Sequence, residues 1–243
     1  MNRTLIGMLT PSSNTVLEPY TQAILASLLP EVTAHFQRFR VTQIALNDAA
    51  LRQFDNSALI EAARLLADAR MDAIAWNGTS SGWLGFDADH RLCAEVTEAT
   101  GIPATTSVLA LNEALSGLGA RRIGLVTPYT DDVQERILGH YREAGFDVVA
   151  ESHLGDRGNF SFSDYAEPVI EAQLREVAAA RPDAIAIFCT NLRGAPVVAR
   201  MEAELGLPIL DTVSVTVWKT LRMTGHDPSR IRGWGSLFQR LAG

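Results

Sequence analysis

Two stretches 111 residues apart carry one pattern: Asp72-Ala73-Ile74-Ala75-Trp76-Asn77-Gly78-Thr79-Ser80 and Asp183-Ala184-Ile185-Ala186-Ile187-Phe188-Cys189-Thr190-Asn191. Each reads as a short buried strand that delivers small polar residues to its C-terminal end. Two further pairs flank them. Ile6-Gly7 and Thr10-Pro11 match Ile123-Gly124 and Thr127-Pro128, and Gly101-Ile102-Pro103 answers Gly206-Leu207-Pro208. Matches in the same order, at offsets of 117, 111 and 105 residues, point to duplication of one unit.

Within each half, strands alternate with helical patterns, over Pro19 to Leu29, Ser57 to Ala69 and Asp87 to Thr100, then Asp131 to Ala144, Tyr165 to Ala180 and Pro196 to Leu205. Alternation of this kind gives parallel sheets covered on both faces. The expected fold is therefore α/β, with two pseudo-symmetric Rossmann-like lobes at residues 1–115 and 116–212. The helical patterns of 213–243 are expected to pack back on the first lobe as a strap.

A chain of 243 residues that is 47% hydrophobic can bury such a core. Its net charge of −7, with no basic block, disfavours nucleic acid and anionic membrane as partners. No apolar run reaches the roughly 18–20 residues of a membrane span. Met1-Asn2-Arg3-Thr4 leads straight into a strand without the features of a signal peptide, and two cysteines on unlike elements make no disulfide framework, so a cytoplasmic location is expected. The five histidines lack metal-ligand spacing, and Lys219 is the only lysine, without the glycine-rich setting of a phosphate loop. Self-association is left open by the sequence.

Open α/β sheets bind ligands outside the C-terminal ends of their strands. Four loops fall there: Pro11-Ser12-Ser13-Asn14, Gly78-Thr79-Ser80, Pro128-Tyr129-Thr130 and Cys189-Thr190-Asn191. If the lobes face each other, all four meet in one interlobe cleft. Cys189 is the candidate catalytic residue there, as a thiol that donates a proton or, with a lowered pKa, attacks as thiolate. The bland alternative is a strand cysteine behaving as a small hydrophobe. Cys93 lies with Leu92 and Val96 on the apolar face of a helix and reads as structural.

Thr79, Ser80, Thr190 and Asn191 offer neutral donors of the kind that hold an oxyanion, although the same residues also start helices and turns. Tyr129, the repeat-mate of Ser12, can donate to a carboxylate or simply pack between lobes. Asn14 reads equally as a cap. Gly78 allows close backbone approach. Arg193 is the one cation in these loops; Trp76, Trp83 and Phe86 read as core or lobe packing, although Trp83 could wall an apolar pocket; and the loop Gly155 to Ser161, which carries Asn159, has the composition of a lid.

Together, Ile6-Gly7-Met8-Leu9-Thr10-Pro11-Ser12-Ser13-Asn14-Thr15, Gly78-Thr79-Ser80, the stretch Pro128 to Arg136 and Cys189-Thr190-Asn191-Leu192 resemble the aspartate/glutamate racemase superfamily, in its maleate isomerase and arylmalonate decarboxylase branch. The resemblance spans nearly the whole chain. It implies a two-lobed, cofactor-independent enzyme acting on a small carboxylate between its lobes. Racemases and isomerases of this kind use a cysteine from each half, whereas the decarboxylases keep the second and have glycine at the first. Gly78 with Cys189 therefore looks decarboxylase-like, while Pro11-Ser12-Ser13-Asn14-Thr15 resembles the isomerase version of the first loop.

The expected activity is decarboxylation of a substituted malonate-type diacid. Thr79, Ser80, Tyr129 and Thr190 would hold the enediolate and Cys189 would protonate it, without metal, pyridoxal phosphate or biotin. The alternative is a maleate-type cis-trans isomerase using Asn14 and Asn159 for its carboxylates. A lesser one is a binding protein in which Cys189 is incidental.

Overall fold

A computed structural model describes residues 3–41 and 56–242; Met1 and Asn2 of the expected N-terminal run lie outside the described residues. The first sheet comprises β1 (Thr4–Pro11), β2 (Val32–Phe39), β3 (Ala73–Trp76) and β4 (Ala104–Thr106). It is threaded with α1 (Leu17–Leu25), α2 (Asn56–Asp68), α3 (Ser81–Leu84), α4 (Asp87–Thr100) and α5 (Ser107–Gly117). The second comprises β5 (Arg122–Thr127), β6 (Asp147–His153), β7 (Ala184–Ile187) and β8 (Ile209–Asp211), with α6 (Asp131–Glu143), α7 (Glu167–Ala178) and α8 (Val198–Leu205). Strand orders are β2-β1-β3-β4 and β6-β5-β7-β8, and every pairing is parallel.

The duplication expected from the sequence is present down to single residues. Leu59, Ala62, Ala63 and Leu66 are the buried face of α2, and Ile170, Gln173, Leu174 and Val177, each 111 positions on, are that of α7. The spacing i, i+3, i+4, i+7 places each set along one helical stripe that packs on its sheet. Gly7 in β1 is tightly packed, since an added Cβ would meet Met71, Leu66 and Ile74 at 3.0–3.2 Å. Gly124 in β5 is crowded by their mates Val177, Ile185 and Pro182. Arg70 and Arg181, also 111 apart, both adopt positive φ, 56° and 52°, in the turn that reverses the chain into β3 and β7.

The matched aspartates have a matched task. Asp72 Oδ2 accepts the Leu5 N–H at 2.8 Å, and Asp183 Oδ2 accepts those of Arg121 and Arg122 at 2.9 and 2.8 Å. Each carboxylate thus pins the start of the neighbouring strand and sets its register.

After β8 the chain forms α9 (Thr212–Met223) and a short α10 (Leu237–Arg240). Helix α9 packs against α5 and α1, with Thr216 Oγ1 donating to Ser107 Oγ at 2.8 Å. The Trp218 indole N–H reaches the Leu241 carbonyl at 2.8 Å, which holds the tail against it. Among the described residues no helix is long and apolar enough to cross a membrane.

Candidate active site

In each sheet the chain leaves the first strand to one side and the third to the other, which opens a crevice at their C-terminal ends. The loops after β1, β3, β5 and β7 meet there. Pro11, Gly78, Thr79, Ser80, Tyr129, Asn159, Cys189 and Thr190 all border one small chamber, together with Val41, Trp76 and Trp83. Of the residues singled out from sequence, Ser12, Asn14 and Asn191 stand one layer behind. Ser12 Oγ donates to the Val41 carbonyl at 3.3 Å and accepts the Val41 N–H at 3.2 Å, which fixes the chain end beyond β2.

Hydrogen bonds between the two sheets' loops close the chamber. Asn14 Nδ2 donates to the Thr190 carbonyl at 3.1 Å, while its Oδ1 accepts the N–H groups of Val16 and Leu17 at the start of α1. Thr190 Oγ1 donates to the Asn77 carbonyl at 3.0 Å. Asn191 Nδ2 reaches the Asn159 carbonyl at 2.5 Å, and Asn159 Nδ2 reaches Ser13 Oγ at 2.8 Å. Asn159 therefore enters the site from the loop expected to form a lid. That loop is tied down by Asp156, which accepts from Gly158 N–H and Ser161 Oγ at 2.9 and 2.7 Å.

Cys189 ends the apolar run of β7 with 2% of its surface exposed. Burial pushes its thiol up to about 12, although the Asn191 N–H, 3.4 Å from the sulfur, and the Tyr129 hydroxyl both favour the thiolate. At neutral pH it is a protonated thiol, an acid rather than a resting nucleophile. Tyr129 is also fully buried and its phenol is held protonated by desolvation first and by the neighbouring sulfur next. Its hydroxyl lies 2.6 Å from Thr79 Oγ1, and its ring packs edge-on to Trp83 with centroids 5.3 Å apart. Ser80 borders the chamber with no hydrogen-bond partner for its hydroxyl among the described residues.

Among the described residues, two cations near these loops, Arg193 and Arg38, are committed elsewhere. Arg193 donates through Nε and Nη2 to the Tyr165 carbonyl at 3.0 and 2.9 Å, so it braces the segment before α7. Arg38 donates to the carbonyls of Ser12 and Asn14 at 2.9 and 3.0 Å and pairs with Glu18 at 2.9 Å. Among the described residues, a carboxylate in the chamber would meet the neutral donors Thr79, Ser80 and Tyr129. Cys93 lies half-buried on α4, outside the chamber. Among the described residues no group of three or more His, Cys, Asp or Glu side chains could hold a metal ion.

The model of the arylmalonate decarboxylase family matches residues 14–238. The chain belongs to that family. Within it, maleate isomerases stand beside decarboxylases: the chain is 26% identical to the maleate isomerase of Geobacillus stearothermophilus over 89% of its own length and 90% of the relative's. It is 29% identical to the arylmalonate decarboxylase of Bordetella bronchiseptica over 74% and 77% of the two chains. In structure it resembles a Nocardia farcinica maleate cis-trans isomerase variant with a covalently bound succinylcysteine, at a TM-score of 0.91, 23% identity and 98% and 99% coverage. An arylmalonate decarboxylase crystal structure follows at 0.78, 26% identity and 97% and 99% coverage.

Two of the chamber's walls escaped the sequence reading. Trp76 read as a packing residue, and Val41 carried no signal, since its place depends on Ser12 and Ser13 drawing the chain end after β2 across the loop.

Proposed function

We propose that the protein is a cofactor-independent decarboxylase of a substituted malonate-type diacid. The observation that carries this reading is a single protonated thiol, Cys189, facing a chamber whose opposite, repeat-related position is Gly78. One acid on one face suits stereoselective protonation of a carbanion. It does not suit exchange between two thiols.

In this mechanism Thr79 and Tyr129 turn from each other to one carboxylate of the diacid, with Ser80 as a further donor. As the bond between the α-carbon and the second carboxylate breaks, CO2 leaves and the electron pair passes into the retained carboxylate as an enediolate. Donors already in place are worth most where that charge develops. The thiol proton of Cys189 moves to the α-carbon. The thiolate left behind, supported by the Asn191 N–H and the Tyr129 hydroxyl, regains a proton from solvent.

A maleate-type isomerase is the second reading, favoured by the Asn14 carboxamide at the site's edge and by the curated relatives of that name. Against it, the Nocardia farcinica isomerase variant keeps a succinylcysteine although one of its cysteines has been changed to serine, so a second cysteine forms the covalent bond there. Here Cys189 stands alone in the chamber. Incubation with malonates and maleate in deuterated buffer separates the two readings: a monoacid with one α-deuterium supports decarboxylation, and fumarate supports isomerisation.

A further inference from the structure

Trp76 ends β3 with 2% of its surface exposed, its indole packed on Phe39 with ring centroids 4.9 Å apart at 52°. The ring folds back over Gly78. A Cβ added at position 78 would collide with the indole at Cζ2 and Cε2 and stand 2.7 Å from Cη2. A side chain at position 78 is thus excluded unless the indole turns away. Glycine there does more than lack a thiol, because the space the thiol would need is filled.

The same residue divides two cavities. On one side is the Cys189 chamber, with about 20 Å³ of space, room for roughly one water. On the other is an open cleft of about 440 Å³ between α2 and α4, bordered by Leu59, Leu84, Leu92 and Arg91. Trp76 and Ser80 line both. The indole borders both spaces, so its bulk limits how far the chamber can extend toward the cleft.

We propose that Trp76 is a specificity-determining wall: its indole occupies the room that a bulky α-substituent or a thiol at position 78 would need, and selects against diacids with large α-substituents. The wall rests on the diacid reading of the site, but not on whether the diacid is decarboxylated or isomerised. Shortening Trp76 joins the chamber to the cleft, where Leu59, Leu84 and Leu92 give a larger apolar group somewhere to lie.

Thiol alkylation tests the wall without turnover. Wild type, Trp76→Leu and the milder Trp76→Phe are treated with iodoacetamide and with N-benzyl iodoacetamide, and the labelled Cys189 and Cys93 peptides are quantified by mass spectrometry. The account predicts that Trp76→Leu raises the benzyl-to-parent rate ratio at Cys189 at least tenfold and leaves the ratio at Cys93 unchanged. An unchanged Cys189 ratio, or a wild type that takes both reagents equally, overturns it. If Trp76→Leu does not fold, a rise of threefold or more in Trp76→Phe supports the wall and no rise overturns it.

Methylmalonate and benzylmalonate then provide the kinetic arm, with kcat/KM for the benzyl compound relative to the methyl compound rising tenfold in Trp76→Leu. A wild type that turns over neither malonate nor maleate would defeat the proposed function while the alkylation ratio still decides the wall. In the same frame Gly78→Cys alone should give no second-face deuteration, and Gly78→Cys with Trp76→Leu should give some. Deuteration of both faces in Gly78→Cys alone would mean that the indole is no obstacle.

Discussion

The hydroxyl of Tyr129 and Oγ1 of Thr79 lie 2.6 Å apart, joining the loop after β5 to the loop after β3 at the floor of the chamber. Both are buried, and each is the other's hydrogen-bond partner. Tyr129→Phe leaves Thr79 with no partner and removes a donor to the Cys189 sulfur. The expected result is a fall in kcat of roughly 10²-fold, with a loss of about 1–2 kcal/mol in stability. Steady-state kinetics and urea denaturation of the variant read the two effects separately, and unchanged kcat would remove Tyr129 from the oxyanion pocket.

Cys189→Ala is expected to lower kcat by roughly 10²–10⁴-fold, the usual contribution of a positioned proton donor, while keeping a cooperative unfolding transition. Because burial pushes the thiol up to about 12, its protonated form persists through the neutral and mildly alkaline range. Thiolate absorbance that can be removed by Cys189→Ala should stay absent at pH 8 and appear only in strong alkali. A thiolate signal at pH 8 would recast the residue as a nucleophile.

Asn14 spends its side chain on both sheets, capping α1 with Oδ1 and reaching Thr190 with Nδ2. Asn14→Ala should destabilise by about 1–2 kcal/mol, the cost of a lost cap and a broken buried hydrogen bond. It should also raise KM more than it lowers kcat, because it loosens the closed arrangement without touching the acid. A variant with unaltered KM would show that the Asn14 bridge plays no part in substrate binding.

Asp211 provides a pH test away from the chemistry. It caps α9, with Oδ1 accepting from Val213 and Ser214 N–H at 2.9 and 3.2 Å, while buried Oδ2 has no partner among the described residues. Burial pushes its carboxyl up to about 7, against the opposing pull of the two N–H groups. A raised folded-state pKa means that the associated stability is complete below the unfolded value near 3.8 and is lost as pH rises through about 7. Asp211→Asn should therefore gain on wild type by about 2–3 kcal/mol between pH 5 and pH 8. Asp89, raised to about 6 mainly by burial, shifts both proteins in the same direction and cancels from the difference. Equal pH dependence of the two denaturation curves would contradict a buried Asp211 with a raised pKa.

Much of this molecule could be read from its letters because the duplication repeats physical constraints. Gly7 and Gly124, the Asp72 and Asp183 clamps and the paired helix faces of α2 and α7 recur because each unit solves the same packing problem. Cys189 and the polar loops singled out from sequence border one chamber. Helix α5 was missed altogether: Ser107–Gly117 is apolar on most sides, with Val108, Ala110, Leu111, Ala114 and Leu115 all buried, so no polar face marked it as a surface helix. Trp76 packs in the core, as its pattern implied, but its place at the chamber was not legible. Its strand position says only that it is buried, whereas its effect on the site comes from the ring folding back over Gly78, two residues on.

Helix ends drifted by a few residues wherever short 3₁₀ turns intervened, at Ala26–Leu28 before β2 and Ala195–Val197 before α8. Periodicity alone does not separate a 3₁₀ turn from the α-helix it adjoins. Arg193 illustrates a further limit. A cation in a site loop looks available on paper, but backbone carbonyls of the segment before α7 claim its donors.

The central claim is that one buried thiol delivers one proton to one face of a carbanion formed by loss of CO2. Proton NMR of the purified protein with methylmalonate in deuterated buffer tests it most directly. The account predicts propionate carrying a single α-deuterium, placed on one face, at a rate that collapses in Cys189→Ala. Unreacted methylmalonate alongside conversion of maleate to fumarate would contradict it and establish the isomerase reading instead.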